Sequence, residues 1–317
     1  MTRFSLAGLA AGIAVLAFGT GVALGAQRAV ALTFDDLPMT GGPCDAALAR
    51  EISGKILETL AAADAPAVGF VNASRTCGEP PGGVRDEVLR AWLDAGHDLG
   101  NHTWSHRDLE GTTLAAFLED VDRGAAPVDS LLRLRGRRLV WFRHPFLHAG
   151  DTPAKKAGLT AHLAENGWRV APVTVDNQEW VYAYVYHAAL ARTDTALAAR
   201  VSDAYLEHVD DAFAYFETRS REVVGREVPE VLLLHANRLN ADFLEPLLAR
   251  IRARGYRFVE LAEAMEDPVY AREDPFIGRG GPSWIERWGI AGGGTPSQGP
   301  REHPWVAELY ERLRPSR

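Results

Sequence analysis

The sequence has few cysteines and no excess of positive charge. Cys44 and Cys77 are the only cysteines among 317 residues. They allow one disulfide in an oxidising compartment, or two free thiols, and the sequence leaves both readings open. The chain carries 34 basic and 42 acidic residues, for a formal net charge of -8, and shows no broad basic patch. Nucleic acid is therefore excluded as an expected partner.

Charged residues are also absent from a long apolar run near the start of the chain. None occurs between Arg3 and Arg28, and residues 4–24 are apolar with small residues near their end. This pattern predicts a signal peptide over residues 1–26, and hence a periplasmic or secreted protein with no stable membrane association after cleavage. The alternative is an uncleaved membrane anchor, because the run is just long enough to span a bilayer.

Two aspartates after an apolar segment are the first candidates for chemistry. Residues 29–34 alternate in the period of a strand, so Asp35 and Asp36 fall at its C-terminal end. Successive strand side chains point to opposite sides, and we expect one carboxylate to reach a metal while its neighbour faces elsewhere. Taken alone, such a pair is more typical of a helix cap or a solvated turn.

A pair of histidines downstream completes a ligand set. His102 and His106 are four residues apart, so they share one face if the segment is helical, as in zinc sites on helices. Together with Asp36 they would fill three positions around one divalent transition metal, for which zinc is the expected ion. Asp35 remains as a spare carboxylate. This combination suits hydrolysis by metal-activated water.

Further segments follow in a fixed order. The sequence reads TFDD at 33–36, HTWSH at 102–106, RHPF at 143–146, DNQEW at 176–180 and LLLH at 232–235. In these segments the chain resembles the polysaccharide deacetylase family, also called the NodB-homology or carbohydrate esterase 4 family. The resemblance runs from about residue 29 to about residue 260.

The chain departs from the family pattern at two places. Leu37 and Pro38 replace the glycine after the first motif, so the turn there must be built differently. Glu179 replaces the second aspartate of the fourth motif, which keeps the charge but moves it. Neither change removes a candidate ligand or base.

The roles divide by chemistry. Amide hydrolysis needs one base and one acid, and we assign them to Asp35 and His235. Arg143 would hold Asp35 ionised, because a nearby cation favours the charged carboxylate. Asp176 or Glu179 would pair with Arg143 or with a ring nitrogen of His235, and the resemblance favours Glu179 for the histidine.

The resemblance also implies residues that contact substrate. These candidate walls of an acetyl pocket are Pro145, Phe146, Trp180, Leu232 and Leu234. Without the resemblance, the last three would be read as core residues. The other histidines have no partner at ligand spacing and are interpreted as structural or surface residues.

Apolar strands and amphipathic helices alternate along the chain. Strands are predicted over 29–34, 67–72, 98–102, 139–143, 168–175, 231–235 and 258–260. Helices are predicted from a cap at Asp45 and over 84–93, 114–132, 153–166, 195–221 and 243–254. Such alternation indicates parallel strands joined by crossover helices. Motif residues at several strand ends converge on one ion only in a closed or nearly closed ring, so we predict a single α/β domain folded as a distorted (β/α) barrel of about seven strands.

Two segments lie outside this plan. A long insertion between the fourth and fifth motifs contains the helix expected at 195–221, and the chain after Glu266 is rich in glycine and aromatic residues. We therefore divide the mature chain into a catalytic domain over 27–266 and a C-terminal extension over 267–317 that packs on the barrel. Its tryptophans are expected to cover a barrel end, with stacking on sugar rings as the alternative.

The sequence thus predicts a metal-dependent hydrolase whose partner is an acetylated glycan of a cell wall or surface. Removal of N-linked acetyl groups is the expected reaction. Hydrolysis of an O-acetyl ester or a cyclic amide is the alternative on the same fold. A non-catalytic glycan-binding protein is the alternative of another class.

Overall fold

A computed structural model describes residues 28–78, 83–291, 293, 295–297 and 299–314, together with Met1. Apart from Met1, the signal peptide expected over residues 1–26 lies outside the described residues. Among the residues described, no helix combines the length and the apolar character needed to cross a bilayer.

Parallel strands form one 7-stranded sheet at the centre of the molecule. The strands are β1 (Arg28–Leu37), β2 (Ala67–Val71), β3 (Asp98–Asn101), β4 (Trp141–Phe142), β5 (Arg169–Val170), β6 (Glu230–His235) and β7 (Tyr256–Val259). They follow the order β5, β4, β3, β2, β1, β6, while β7 pairs with the start of β1. Val175, just beyond β5, pairs with Leu232 of β6 and joins the two ends of this row. The sheet therefore curls into the distorted barrel that the sequence predicts.

Helices surround the strands, and two more lie in the described part of the C-terminal extension. They are α1 (Ala46–Ala62), α2 (Gly83–Asp94), α3 (Leu114–Arg133), α4 (Pro153–Glu165), α5 (Glu179–Ala191), α6 (Thr195–Val224), α7 (Arg238–Ala253), α8 (Leu261–Ala264), α9 (Trp284–Ile290) and α10 (Pro304–Leu313). Asp45 caps α1 as expected, accepting a hydrogen bond of 2.8 Å from the Leu48 amide.

The alternation of strand side chains separates two apolar regions. Ala31, Phe70, Trp141 and Val231 come from four strands and pack together inside the ring. Neighbouring residues such as Leu32 and Leu232 point outward and join the main core against the helices. Near the C-terminal ends of the strands the inward-facing side chains are polar, and they form the candidate site.

Several elements differ in length from the prediction. β4 and β5 are each 2 residues long, and loops continue from them toward the site. α7 begins at Arg238 rather than Phe243, since Asn237 caps it with a 3.0 Å bond from the Asn240 amide. α5 was not predicted: its aromatic and branched residues are buried on several sides, so its sequence lacks the one-sided pattern of an amphipathic helix.

The C-terminal extension (residues 267–317) packs against the insertion. α9 lies on α6, and α10 lies on α5. Trp284, Ile285, Trp288 and Val306 are buried and belong to the main core. Arg287 of α9 is fully buried and stacks over Trp284 at 3.9 Å.

Candidate active site and metal centre

The candidate catalytic residues surround one cavity of about 510 Å³, here called the central cavity. Its lining comes from the C-terminal ends of the strands, the loops after them, α5 and α10. The lining residues are Asp35, Asp36, Thr40, His102, His106, Phe146, Leu147, Asp176, Trp180, Leu233, His235 and Tyr310. A volume of this size is within the usual range for small-molecule sites.

Both aspartates of the first motif face the central cavity. The expectation that they point to opposite sides was wrong, because Asp36 adopts a left-handed backbone conformation with φ of 68°. The register between β1 and β2 also shifts between Phe34 and Leu37. This irregularity interrupts the strand alternation and brings both carboxylates to the same side. The turn beyond them contains a cis peptide bond between Leu37 and Pro38.

The histidine pair lies on a loop and not on a helix. His102 follows β3, and the chain then turns through left-handed conformations at Thr103 and His106. The two imidazole rings meet edge to face with their centroids 4.8 Å apart. Gly124 of α3 permits this loop to pack closely, since a Cβ atom there would lie 2.4 Å from the Thr103 carbonyl carbon.

Asp36, His102 and His106 form a group of ligand atoms suited to one metal ion. Asp36 Oδ1 lies 3.8 Å from His102 Nε2 and 3.6 Å from His106 Nε2. These separations exceed hydrogen-bond length and approach the ~3.4 Å expected between ligands of a tetrahedral site with bonds of about 2.1 Å.

The protonation of this group also suits metal binding. His102 Nδ1 lies 2.9 Å from the Arg143 carbonyl oxygen. A carbonyl can only accept, so Nδ1 carries the proton and Nε2 presents its lone pair to the cavity. Burial lowers the pKa of both His102 and His106 to about 4, which keeps the rings neutral. Burial alone would raise the pKa of Asp36, but the two neighbouring imidazoles hold it below its usual range.

Asn72 is a site residue that the sequence analysis missed. It follows β2, is buried, and donates a hydrogen bond from its side chain to Asp36 Oδ1. A polar residue directly after the apolar strand was the available signal. Orientation of a ligand by such a partner is a common feature of metal sites.

Arg143 lies beneath Asp35 and is fully buried. Its Nη1 atom is 3.4 Å from Asp35 Oδ1, while Nε donates to the Ala171 carbonyl at 2.9 Å and Nη2 to Thr33 Oγ1 at 3.0 Å. The guanidinium also lies over the Phe70 ring at 4.6 Å. Burial raises the pKa of Asp35, and the Arg143 charge opposes that shift.

His235, the register partner of Asp35 on the neighbouring strand β6, forms a close pair with Glu179. His235 Nδ1 lies 2.7 Å from Glu179 Oε2, and Asn237 donates to the other carboxylate oxygen of Glu179. Burial alone would lower the pKa of His235, but the Glu179 carboxylate raises it to about 9. Asp176 instead accepts two 3.0 Å bonds from Gln178, and burial raises its pKa to about 6.

The expected substrate-contact residues separate into two groups. Phe146 and Trp180 line the central cavity and are exposed at 53% and 42%. Leu232 and Leu234 do not line it: both are buried in the main core, because strand alternation turns Leu233 inward instead. Pro145 is buried and begins the short 3-10 turn that presents Phe146.

A second set of metal-type side chains lies beyond Phe146. It consists of Asp108, Glu110 and His148. His148 Nδ1 is 2.9 Å from Asp108 Oδ1 and 3.3 Å from Glu110 Oε1, and Arg279 lies 3.3 Å from Glu110 Oε2. These side chains are already paired with one another, so the group differs from the open set around Asp36.

Comparisons with known proteins point to one family. Residues 25–162 match the family model described as polysaccharide deacetylase. The chain is 29% identical over 159 residues to a chitin deacetylase of Arthroderma benhamiae, which covers 49% of this chain and 36% of that protein. It is 22% identical over 240 residues to a chitin deacetylase of Colletotrichum lindemuthianum, covering 75% of this chain and 79% of that one.

Solved structures give the same fold. A mutant of a CE4 family pseudoenzyme with restored enzymatic activity superposes with a TM-score of 0.51 at 16% identity, over 76% of this chain and 68% of that chain. The wild-type pseudoenzyme, from Bacillus anthracis, gives a TM-score of 0.50 at 14% identity, over 76% of this chain and 66% of that chain. Since this fold occurs in a pseudoenzyme, activity has to be argued from the side chains.

Proposed function

We propose that this chain, a member of the polysaccharide deacetylase family, is a metal-dependent hydrolase that removes acetyl groups from N-acetylated sugars of a cell-wall or surface glycan. One observation carries the proposal. The ligand set of Asp36, His102 and His106 shares a single cavity with a carboxylate base, Asp35, and a paired histidine acid, His235.

The donor atoms fit one divalent transition metal, and zinc is the ion we expect. Asp36, His102 and His106 would hold it. When bound, such an ion lowers the pKa of water and polarises a carbonyl oxygen. The Asn72 side chain keeps Asp36 aimed at the site, and the Arg143 carbonyl fixes the tautomer of His102.

The remaining groups supply the proton transfers. Asp35 accepts a proton from the attacking water as the water oxygen bonds to the acetyl carbon. His235, held protonated by Glu179, donates a proton to the sugar nitrogen as the carbon–nitrogen bond breaks. Acetate and a free amino sugar are the products. Arg143 favours the ionised form of Asp35 between turnovers.

The His235–Glu179 pair favours the amide over the alternative bonds. An amine is a poor leaving group unless it is protonated, and a histidine with pKa raised to about 9 carries that proton at neutral pH. An O-acetyl ester or a cyclic amide remains a substrate that the same groups would attack. A non-catalytic glycan-binding role finds no support, because every candidate ligand, base and acid lies in the central cavity.

We also propose that the protein is exported, with residues 27–266 as the catalytic domain and residues 267–317 as a packed extension. The disulfide between Cys44 and Cys77 supports an oxidising compartment such as the periplasm or the cell exterior.

Acetate release measured across a panel of N- and O-acetylated glycans tests the activity, with metal content measured on the same samples. Asp35→Asn should keep the metal and lose about 10²- to 10⁴-fold in turnover, because it removes the base but preserves its size. His102→Ala should lose metal and activity together. His148→Ala is the matched control, and it should retain both.

Two results would contradict the proposal. Full metal occupancy in His102→Ala would overturn the ligand assignment. Near wild-type acetate release by Asp35→Asn would overturn the mechanism.

A further inference from the structure

Tyr310 lines the central cavity although it lies far from every motif of the sequence. It is carried by α10 in the C-terminal extension. Its ring packs edge to face against Trp180, with the centroids 5.2 Å apart. The two aromatic side chains therefore form one continuous wall of the cavity on the α5 side.

This wall is fixed in place at both ends of α10. Before the helix, the His303 amide donates to the Tyr182 hydroxyl at 3.0 Å, and His303 Nδ1 lies 3.0 Å from the same hydroxyl. At its end, the Tyr184 hydroxyl donates to the Leu313 carbonyl at 3.0 Å. Val306 is fully buried between these anchors. Tyr310 is therefore held at the cavity before any ligand arrives, which reduces the entropic cost of binding.

The extension also supports the other aromatic wall. Phe146 packs against the His106 ring at 4.4 Å between centroids. Its turn is held by Arg287, which donates to the Leu147 carbonyl at 2.6 Å. Gly281 passes so close that a Cβ atom there would lie 2.1 Å from the Phe146 carbonyl oxygen. One segment of the chain thus positions aromatic rings on both sides of the catalytic groups.

We propose that Tyr310, although it comes from the C-terminal extension, contacts substrate: it packs on the sugar ring next to the one that carries the acetyl group and so strengthens the binding of longer oligomers. The ring C–H faces of a pyranose are apolar and pack on aromatic faces, while its hydroxyls stay in water. Trp180 backs the tyrosine ring, and Phe146 faces the reacting centre beside His106. This inference rests on the proposed deacetylase function and adds to it a substrate-contacting residue from outside the sequence motifs.

The test compares Tyr310→Ala with Tyr310→Phe and with Glu308→Ala, an exposed position on the same helix. The substrates are β-1,4-linked N-acetylglucosamine oligomers from monomer to hexamer, and 4-nitrophenyl acetate. Tyr310→Ala should raise KM for the dimer and longer oligomers about 2- to 12-fold with little change in kcat, because an aromatic contact is lost. Its KM for the monomer and its hydrolysis of the small ester should stay at the wild-type level. Tyr310→Phe and Glu308→Ala should match the wild type throughout.

Tyr310→Leu, which keeps apolar volume, replaces the alanine variant if that variant fails to hydrolyse the ester. Equal KM values for wild type and the tested variant on every oligomer would overturn the proposal. If the wild type releases acetate from no substrate, the deacetylase proposal fails by itself. Calorimetric titration with the tetramer then decides the role of Tyr310: the same loss of affinity supports it, and unchanged or absent binding overturns it.

Discussion

Asp36 and its neighbours illustrate how single residues determine the chemistry of this site. A left-handed torsion turns Asp36 toward the cavity beside Asp35. One carbonyl, that of Arg143, sets which nitrogen of His102 is available as a ligand. One carboxylate, that of Glu179, decides whether His235 is a cation, since burial alone would leave it neutral.

From the His235–Glu179 pair we predict how kcat/KM falls at basic pH. An acid acts only while protonated, so kcat/KM should fall as pH rises through a pKa of about 9. In Glu179→Gln the charge is gone and burial dominates, so the pKa of His235 should fall and the basic limb should move down by about one unit or more. Glu58→Gln, an exposed position on α1, is the control and should leave the profile unchanged. A basic limb at the same pH in Glu179→Gln and wild type would rule out this pairing as the cause.

At the scale of elements, the strand ends and the loops after them carry the candidate site and have to be held together. Cys44 lies in the loop after β1 and Cys77 in the loop after β2, and they form a disulfide. Asp36, near the end of β1, and Asn72, directly after β2, lie just before these loops, and Asn72 donates a hydrogen bond to Asp36. The cross-link therefore joins the two segments that orient one candidate metal ligand.

Removing this disulfide should lower stability. The cysteines are separated by 33 residues in sequence, and closing a loop of that length is worth about 3–4 kcal/mol in the chain-entropy model. The Cys44→Ser/Cys77→Ser double variant should therefore unfold at a lower denaturant concentration than the oxidised wild type. The reduced wild type serves as the control and should match the double variant. An unchanged unfolding midpoint in the double variant would show that the cross-link contributes nothing.

At the scale of the whole molecule, the barrel, the insertion and the extension share one core. α9 and α10 pack on α6 and α5, and Ile285 is fully buried in the main cluster. Arg287, Gly281 and Tyr310 extend this contact to the walls of the cavity. We therefore expect the extension and the catalytic domain to unfold together.

Two isoleucines of the extension test this expectation. Ile285→Ala should cost about 2–5 kcal/mol of global stability, because it opens a space in the shared core. Ile277→Ala makes the same change at a position that is 48% exposed, and it should cost less than about 0.5 kcal/mol. Both are measured by denaturant unfolding monitored with far-UV circular dichroism. Equal effects, or a separate early transition in Ile285→Ala, would show that the extension is an independent unit.

Much of the architecture follows from local patterns. The buried strands and the cap at Asp45 are readable because alternation and capping depend only on neighbours in sequence. α5 escaped prediction because contacts with α6, α7 and α10 bury it on several sides, and this leaves no polar face to detect. Leu232 and Leu234 were misplaced for a related reason, since a motif identifies a strand but not which of its faces points inward.

The sequence by itself determined the parallel α/β barrel, the resemblance to one family and the identity of the ligand, base and acid candidates, because these depend on residue type and order. Tertiary structure alone decided that Asp36 faces the same cavity as Asp35, that Asn72 aims it, and that Tyr310 closes one wall. The reason is physical: a backbone torsion and a contact across 130 residues or more of chain, such as that of Trp180 with Tyr310, arise only once distant elements have packed.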